Sequence, residues 1–206
     1  MKHPSTRELF DYWNTRRGGR SAPERSEIEP GAIRRILADT FMLTFDPRAG
    51  HPFRIAGTRV CAAFGRELKG VAFTDIWSGA SQDEIREVLA TVATESVGVV
   101  AGASGRSGAG ATLELEFLAL PLAHRGGAST RILGALVPTE VPYWLGAETL
   151  GQLTLGMTRY LGPQTGPDSV PRSPPLVPAH TRVNARVNAG GARLRRGLVV
   201  YDGGQT

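Results

Sequence analysis

The sequence contains one cysteine, Cys61, and no long apolar run. A single cysteine excludes an intrachain disulfide and any metal cluster built on several cysteines. No apolar stretch approaches the roughly 18 residues that a membrane-spanning helix needs. The chain starts Met1-Lys2-His3-Pro4 and continues with charged residues. We therefore expect no secretory signal and a cytoplasmic location.

The common motifs of catalytic sites are also missing. The sequence has no Gly-x-Ser-x-Gly elbow, no His-Glu-x-x-His pair and no kinase or cyclase signature. The glycine-rich stretch 102–110 lacks the Gly-Lys-Ser/Thr ending of a phosphate-binding loop and leads into a predicted strand rather than a helix. These absences favour a non-catalytic protein.

Few residues have the chemistry of a metal or cofactor ligand. The histidines, at positions 3, 51, 124 and 180, fall in predicted loops or tails, so we expect them at the surface and predict no metal site. Cys61 lies on the apolar face of a short predicted helix, where packing is a better interpretation than reactivity. No sequence signature identifies a cofactor, whose nature stays unknown.

The net charge of +5 is concentrated near the end of the chain. From residue 163 onward there are six arginines against two aspartates, a net charge of +4, which leaves +1 for the rest. The same region holds six prolines between residues 163 and 180, which favours an extended, flexible tail over 163–206. A nucleic-acid-associated regulator acting through this basic tail is one alternative, although the tail has few aromatic residues for base stacking.

Residues 53–77 contain the most informative pattern. Phe53-Arg54-Ile55 alternates apolar and polar side chains and predicts a strand with Arg54 facing water. Ala56-Gly57 ends that strand, and a short helix follows with Val60, Cys61 and Phe64 on its apolar face. Val71, Phe73, Ile76 and Trp77 then point inward. A strand followed by brief helical turns, with aromatic side chains directed at a sheet, is suited to enclosing a pocket.

Other segments complete a mixed structure. Ser81-Gln82-Asp83-Glu84 has the form of a capping box, and apolar residues at helical spacing predict a helix over about 81–94. Leu113, Leu115 and Phe117 alternate with Glu114 and Glu116, so we expect both glutamates to face solvent or a partner. The five predicted strands cover 41–45, 53–55, about 96–103, about 111–121 and about 129–139. Residues 147–161 are predicted as one more helix, weakened by two glycines.

An amphipathic helix precedes these elements. Ser5-Thr6-Arg7-Glu8 has the form of a capping box, and Leu9, Phe10, Tyr12 and Trp13 follow. This aromatic face could cover the sheet or pair with a second copy of the chain. Arginines and glutamates between residues 20 and 35 form a mixed charge cluster that is either a solvated surface or a contact patch. The predicted partner-binding residues are Phe10, Trp13, Arg20 and Arg25.

Three phrases in this chain resemble a PAS domain: FRIAGT at 53–58, FGRELKG at 64–70 and FTDIW at 73–77. The chain more closely resembles the short single-domain bacterial PAS proteins once catalogued as a domain of unknown function. The resemblance extends, more weakly, over residues 5–145. It implies an α+β PAS fold with a five-stranded antiparallel sheet and flanking helices. We expect an N-terminal helical extension over 1–38, a PAS core over 39–145, a further helix within 146–162 and the tail.

The resemblance also implies a sensory or protein-interaction module of bacterial signal transduction. Such a module would bind a small apolar or mixed ligand in its core, form a homodimer through the N-terminal helix and signal through a partner protein. The expected ligand-binding residues are Phe41, Leu43, Phe53, Ile55, Val60, Phe64, Phe73, Trp77, Val88, Val92, Leu115 and Phe117. Most of these side chains could equally fill a solid core. A ligand-free adaptor that uses the sheet face or the Arg/Glu cluster is therefore a further alternative.

Overall fold

The computed structural model of the chain describes residues 1–124, 127–162, 193–195 and 198–200. The chain divides into two compact units, Met1–Ser169 and Val170–Thr206. The helices of the first unit are α1 (Pro4–Arg17), α2 (Thr58–Ala63) and α3 (Gly79–Glu95), and 3₁₀ turns cover Arg25–Glu27, Pro30–Ile33, Leu37–Asp39 and Phe73–Ile76. Its strands are β1 (Thr40–Thr44), β2 (Phe53–Ala56), β3 (Gly98–Ser107), β4 (Thr112–His124), β5 (Gly127–Pro138) and β6 (Leu150–Leu161).

The described strands of this unit form one antiparallel sheet of six, in the order β2-β1-β5-β4-β3-β6. Residues at alternate positions of β4, Leu113, Leu115 and Phe117, are buried on one face, as the sequence pattern predicts. The five expected strands are confirmed with slightly shifted ends. Together with the flanking helices, they give the predicted α+β, PAS-like fold.

The sheet is covered on both faces. On the inner face, α2, α3 and the turn Phe73–Ile76 enclose the larger apolar cluster, which includes Phe41, Trp77 and Leu89. On the outer face, α1 and the turns between residues 25 and 39 cover a second cluster, which includes Leu9, Leu118 and Leu133. Because the central strands are buried on both faces, the sheet is the middle layer of a three-layer unit.

Helix α3 begins two residues earlier than the capping box predicts. Its N-cap is Ser78, and Ser81 lies inside the helix, where its hydroxyl accepts a hydrogen bond from the backbone N–H of Leu155 at 2.9 Å. The predicted capping box is therefore wrong, because Ser81 serves the neighbouring strand β6. The apolar positions Ile85 and Leu89 are buried as expected.

Helix α1 lies on the outer face of the sheet. Its N-cap is His3, whose Nδ1 accepts a hydrogen bond from the backbone N–H of Ser5 at 3.1 Å, so the capping box predicted over 5–8 is also wrong. Leu9 and Trp13 are buried against the sheet, and the indole N–H of Trp13 donates to the carbonyl of Pro121 at 2.8 Å. The sequence predicts that this helix either covers the sheet or pairs with a second copy of the chain, and the structure shows that it covers the sheet.

Strand β6 replaces the helix predicted over 147–161. Leu150–Leu161 pairs antiparallel with β3 along most of its length. The glycines that weaken a helix here are positions where the two backbones come close, since a Cβ added at Gly156 would lie 3.2 Å from the carbonyl oxygen of Gly102. The expectation of a sheet with five strands is corrected to six by the same finding.

The second unit contributes a short two-stranded pair. Strand β7 (Arg193–Arg195) runs antiparallel to β8 (Leu198–Val200). The rest of the predicted flexible tail lies outside the described residues.

Candidate functional site

The centre of the inner face is occupied by a group of aromatic rings. The Phe41 ring lies 5.3 Å from that of Phe73 and 6.2 Å from that of Phe117, measured between centroids. Trp77 lies 5.7 Å from both Phe73 and Phe117, and Phe53 contacts Phe41 and Phe73. Offset and edge-to-face rings at these distances stabilise one another. These predicted pocket residues therefore pack against each other at the centre of the core.

The remaining predicted pocket residues lie in three different environments. Leu43, Val88 and Val92 are buried in the same cluster, and Phe64 is half-buried at its margin. Ile55 is 53% exposed, which contradicts its predicted inward position. The cause is an irregularity in the pairing of β1 and β2, where Met42 faces Ile55 but the next residue, Leu43, faces Phe53. A bulge of this kind interrupts the alternation of side chains between the two faces.

A cleft of about 340 Å³ opens at one end of the inner face. Its lining includes Val60 and Leu115, two of the predicted ligand-binding residues. The other apolar walls come from α2, the start of β4, the end of β5 and the segment that follows it, and they include Ala62, Leu113, Leu136, Val141 and Leu145. The volume lies within the range of small-molecule sites, which begins at about 300 Å³.

One end of this cleft carries a charged pair. The guanidinium of Arg59 donates to both carboxylate oxygens of Asp39, through Nε at 2.5 Å and Nη2 at 2.6 Å. The Asp39 side chain is 4% exposed and that of Arg59 is 58% exposed. The hydrogen bond that Arg59 donates to Asp39 raises the pKa of Arg59, although partial burial opposes it. His3, the N-cap of α1, also lines the cleft.

Gly57 brings the two charged residues together. It is the N-cap of α2, and a Cβ added there would lie 2.3 Å from the carbonyl oxygen of Ala38. Only glycine permits so close an approach between the start of α2 and the turn Leu37–Asp39. Arg59, in the first turn of α2, therefore lies beside Asp39 at the end of that turn. Sequence reasoning missed this pair because its members are 20 residues apart.

A family model of the PAS domain matches residues 1–137. The chain belongs to the PAS-domain family. The match covers α1 as well as strands β1 to β5, so the N-terminal helix is part of the matched region of this PAS domain. No curated protein matches the chain.

A wider depression of about 720 Å³ lies on the outer face of the PAS sheet. Its lining includes Lys2, Val100, Glu114, Met157 and Arg159. It is open to solvent, and Met157 on its border is 91% exposed. The inner cleft, in contrast, adjoins the PAS core and is lined by Val60 and Leu115.

The predicted partner-binding residues occupy different positions on the PAS domain. Trp13 is 3% exposed, which contradicts its assignment to a partner surface, because its ring is covered by the sheet of its own chain. Phe10 is half-buried beside it, with the two ring centroids 6.1 Å apart. Arg20 is exposed and forms an ion pair with Glu27 at 2.9 Å, and Arg25 is exposed in the turn Arg25–Glu27. The accessible part of this surface is therefore Phe10 and the arginines.

The prediction for His51 is wrong, whereas the structure agrees with the prediction for Cys61. His51 is 1% exposed and stacks on Phe45, so its predicted surface position is wrong, and burial lowers its pKa. Its φ of 59° places it in the left-handed region, in a turn that follows Gly50. Cys61 is half-buried against the core as expected, and burial, with Glu67 nearby, raises the pKa of its thiol. A raised pKa keeps the thiol protonated and unreactive at neutral pH.

The described residues contain neither a metal-binding cluster nor a membrane-spanning helix. Within them, no group of three or more histidine, cysteine, aspartate or glutamate side chains is placed to hold a metal ion. None of the described helices has the length and apolar character needed to cross a membrane.

Glu116 anchors the start of α1 to the sheet. It is 7% exposed and bonded to the start of α1 in its own chain, which contradicts its predicted position facing solvent or a partner. Its carboxylate accepts hydrogen bonds from the backbone N–H groups of Lys2 at 2.6 Å and His3 at 3.1 Å, and from the hydroxyl of Thr6. Burial alone would raise the pKa of Glu116, but these hydrogen bonds outweigh it and the pKa is lowered.

Replacing Glu116 by glutamine is expected to lower the free energy of unfolding at pH 7 by about 1–3 kcal/mol, because buried N–H donors lose a charged acceptor. Urea unfolding followed by tryptophan fluorescence measures the change. Since the folded-state pKa of Glu116 is lowered, the advantage of the wild type is fully present above the unfolded value of 4.5. It is lost as the pH falls through the folded-state value.

Glu114→Gln is the matched control, because Glu114 lies two residues away on the same strand and is exposed. We expect it to change stability by less than about 0.5 kcal/mol. An equal loss in both variants, or a Glu116→Gln deficit that does not shrink in acid, would contradict the anchoring role.

Proposed function

We propose that this PAS domain is a non-catalytic sensory module that binds a small ligand in the inner cleft and signals through a partner protein. The observation that carries the proposal is the cleft itself, with apolar walls and one charged pair at its end. Ligand sites commonly combine mostly apolar walls with a few well-placed polar groups. The bacterial and cytoplasmic setting expected from the sequence stays a prediction.

The proposal includes a partner protein because the sequence carries no kinase or cyclase signature through which this chain could itself produce a signal. A homodimer also stays a prediction. The buried side chains of α1, Leu9 and Trp13, already contact their own sheet. A dimer that uses this helix would therefore involve its accessible residues, which include Phe10, and the exposed Arg20 beyond its end.

The test is native mass spectrometry of the freshly purified chain. We expect the wild type to carry a non-covalent small molecule that is lost on denaturation. Ala62 is exposed on α2 and lines the cleft, so Ala62→Phe should reduce the bound fraction at least tenfold by occupying the cleft. The ligand should also raise the melting temperature of the wild type, because it binds only the folded chain.

Ala80→Phe provides the control, since Ala80 is an exposed alanine in the first turn of α3 and does not line the cleft. This variant should retain the bound mass. A wild-type chain that is free of small molecules would contradict the sensor proposal, and so would equal retention by both variants.

A ligand-free adaptor is the second candidate, and the aromatic packing favours it. The rings of Phe41, Phe73 and Phe117 fill the centre of the core by contacting one another. An adaptor would be free of ligand in native spectra and would bind its partner equally well with Ala62→Phe. The third alternative, a regulator that binds nucleic acid through its basic tail, stays a prediction because most of that tail lies outside the described residues.

A further inference from the structure

The charge balance of the inner cleft restricts the ligand that it can hold. Among the described residues that line the cleft, Asp39 and Arg59 are the ones with a permanent charge, and each neutralises the other. Displacing Arg59 from Asp39 would leave a buried carboxylate without its cation, which is strongly unfavourable. The pair therefore stays intact when a ligand enters, and the cleft presents no net charge.

The hydrogen bonds formed by Arg59 and His3, which both line the cleft, also limit the ligand. Arg59 uses Nε and Nη2 for Asp39, and no described residue accepts a hydrogen bond from its Nη1. His3 accepts at Nδ1 from the backbone N–H of Ser5, which leaves Nε2 as the N–H donor of its ring. Both groups therefore offer N–H donors, while the oxygens of Asp39 are already engaged by Arg59.

A charged ligand head fits this arrangement poorly. A carboxylate would lie near the buried carboxylate of Asp39, where like charges repel at short range. An ammonium group would meet the guanidinium of Arg59, whose like charge repels it, while the carboxylate oxygens of Asp39 are already engaged by Arg59. A neutral carbonyl oxygen accepts from Nη1 without bringing an unpaired charge into the cleft.

We propose that the cleft selects a neutral amphipathic molecule with a compact apolar body and an uncharged carbonyl head of the amide or ester class. This inference rests on the proposed function and names the class of ligand for the same site. The apolar body contacts Val60, Leu115 and Leu136, and the carbonyl accepts a hydrogen bond from Arg59.

Three probes with the same six-carbon skeleton test the selection: hexanamide, hexanoate and hexylammonium. Saturation-transfer NMR titrations of the full chain at pH 7 give their relative affinities. We expect hexanamide to bind at least tenfold more tightly than either charged probe. Asp39→Asn should reverse the order in favour of hexanoate by about tenfold, because it leaves the charge of Arg59 uncompensated.

Asp83→Asn is the matched control. Asp83 also forms an ion pair with an arginine, Arg86 at 2.6 Å, but on the exposed surface of α3, so this variant should keep the wild-type order. If Asp39→Asn fails to fold, Arg59→Lys decides the question. Lysine keeps the positive charge but lacks the planar fork of donors, so hexanamide affinity should fall about tenfold while hexanoate stays excluded.

Tighter binding of hexanoate than of hexanamide by the wild type would overturn the inference, and so would binding of the two to within threefold. Either result would leave the cleft as a ligand site. Failure of all three probes would also overturn the ligand class. The native mass spectra of the wild type and of Ala62→Phe would then show separately whether the sensor proposal survives.

Discussion

Replacing Phe117 by alanine is expected to lower the free energy of unfolding by about 3–5 kcal/mol, the usual cost of removing a fully buried aromatic side chain. Phe117 is 0% exposed, and its ring contacts those of Phe41, Phe73 and Trp77. Removing it leaves a cavity that the surrounding rings, held by their own contacts, fill only in part. A loss of this size is a large fraction of the 5–15 kcal/mol that stabilises most domains. Urea unfolding at pH 7 measures it.

The control for Phe117 is Tyr143→Ala, because the Tyr143 side chain is fully exposed. We expect this variant to unfold within about 0.5 kcal/mol of the wild type. A Phe117→Ala loss below 1.5 kcal/mol would mean that the aromatic group is loosely packed. The room for a ligand would then lie among the rings rather than in the inner cleft.

Gly134→Ala is expected to destabilise the chain by about 3 kcal/mol, at the upper end of the range for overpacked sites. Gly134 lies in β5 opposite Phe41, and a Cβ added there would lie 2.2 Å from the Phe41 Cζ and 2.5 Å from the Leu118 carbonyl oxygen. Phe41 has little freedom to move, because its ring is packed against Phe53, Phe73 and Phe117. The shift in the urea midpoint gives the magnitude.

Gly102→Ala is the corresponding control within the same sheet. A Cβ added at Gly102 has no heavy atom within 4 Å. Since alanine is less costly than glycine inside a strand, we expect equal or slightly higher stability. A Gly134→Ala variant as stable as Gly102→Ala would contradict the close contact between β5 and the Phe41 ring.

Local sequence patterns predict most of the elements of this fold. The alternation of Leu113, Leu115 and Phe117 places β4 correctly, and the apolar positions Ile85 and Leu89 place α3. The starts of the helices are less well predicted, because a serine that could cap a helix can instead form a hydrogen bond with a distant element. Ser81 accepts from Leu155, a contact that joins residues 74 positions apart.

Strand β6 is where local reasoning fails. Its burial follows no simple period, with Leu150, Leu153 and Leu161 buried and most positions between them exposed. Pairing with β3 decides its conformation, and the irregular register between Ala101 and Ala103 brings Gly156 close to the backbone of Gly102. A close approach of this kind is a property of the assembled sheet rather than of the segment.

The sequence also predicts only some of the residues of the candidate site. Val60 and Leu115 are predicted from their apolar spacing, and both line the inner cleft. The predicted inward position of Ile55 is wrong because an alternating sequence pattern does not reveal a β-bulge. Asp39 and Arg59 meet only when α2 packs against the turn Leu37–Asp39, so neither residue is conspicuous in the sequence.

The sixth strand changes where this domain ends. The family match stops at residue 137, yet β6 continues the sheet to Leu161. Along β3, β6 satisfies backbone groups that would otherwise form an open edge, and open edges invite pairing with other chains. A fragment trimmed to the family boundary would lose the buried side chain of Leu153 and expose that edge to its neighbours. Residues 138–161 therefore belong to the folded unit, in which β6 rather than β3 forms this edge of the sheet, and that unit is longer than the family match.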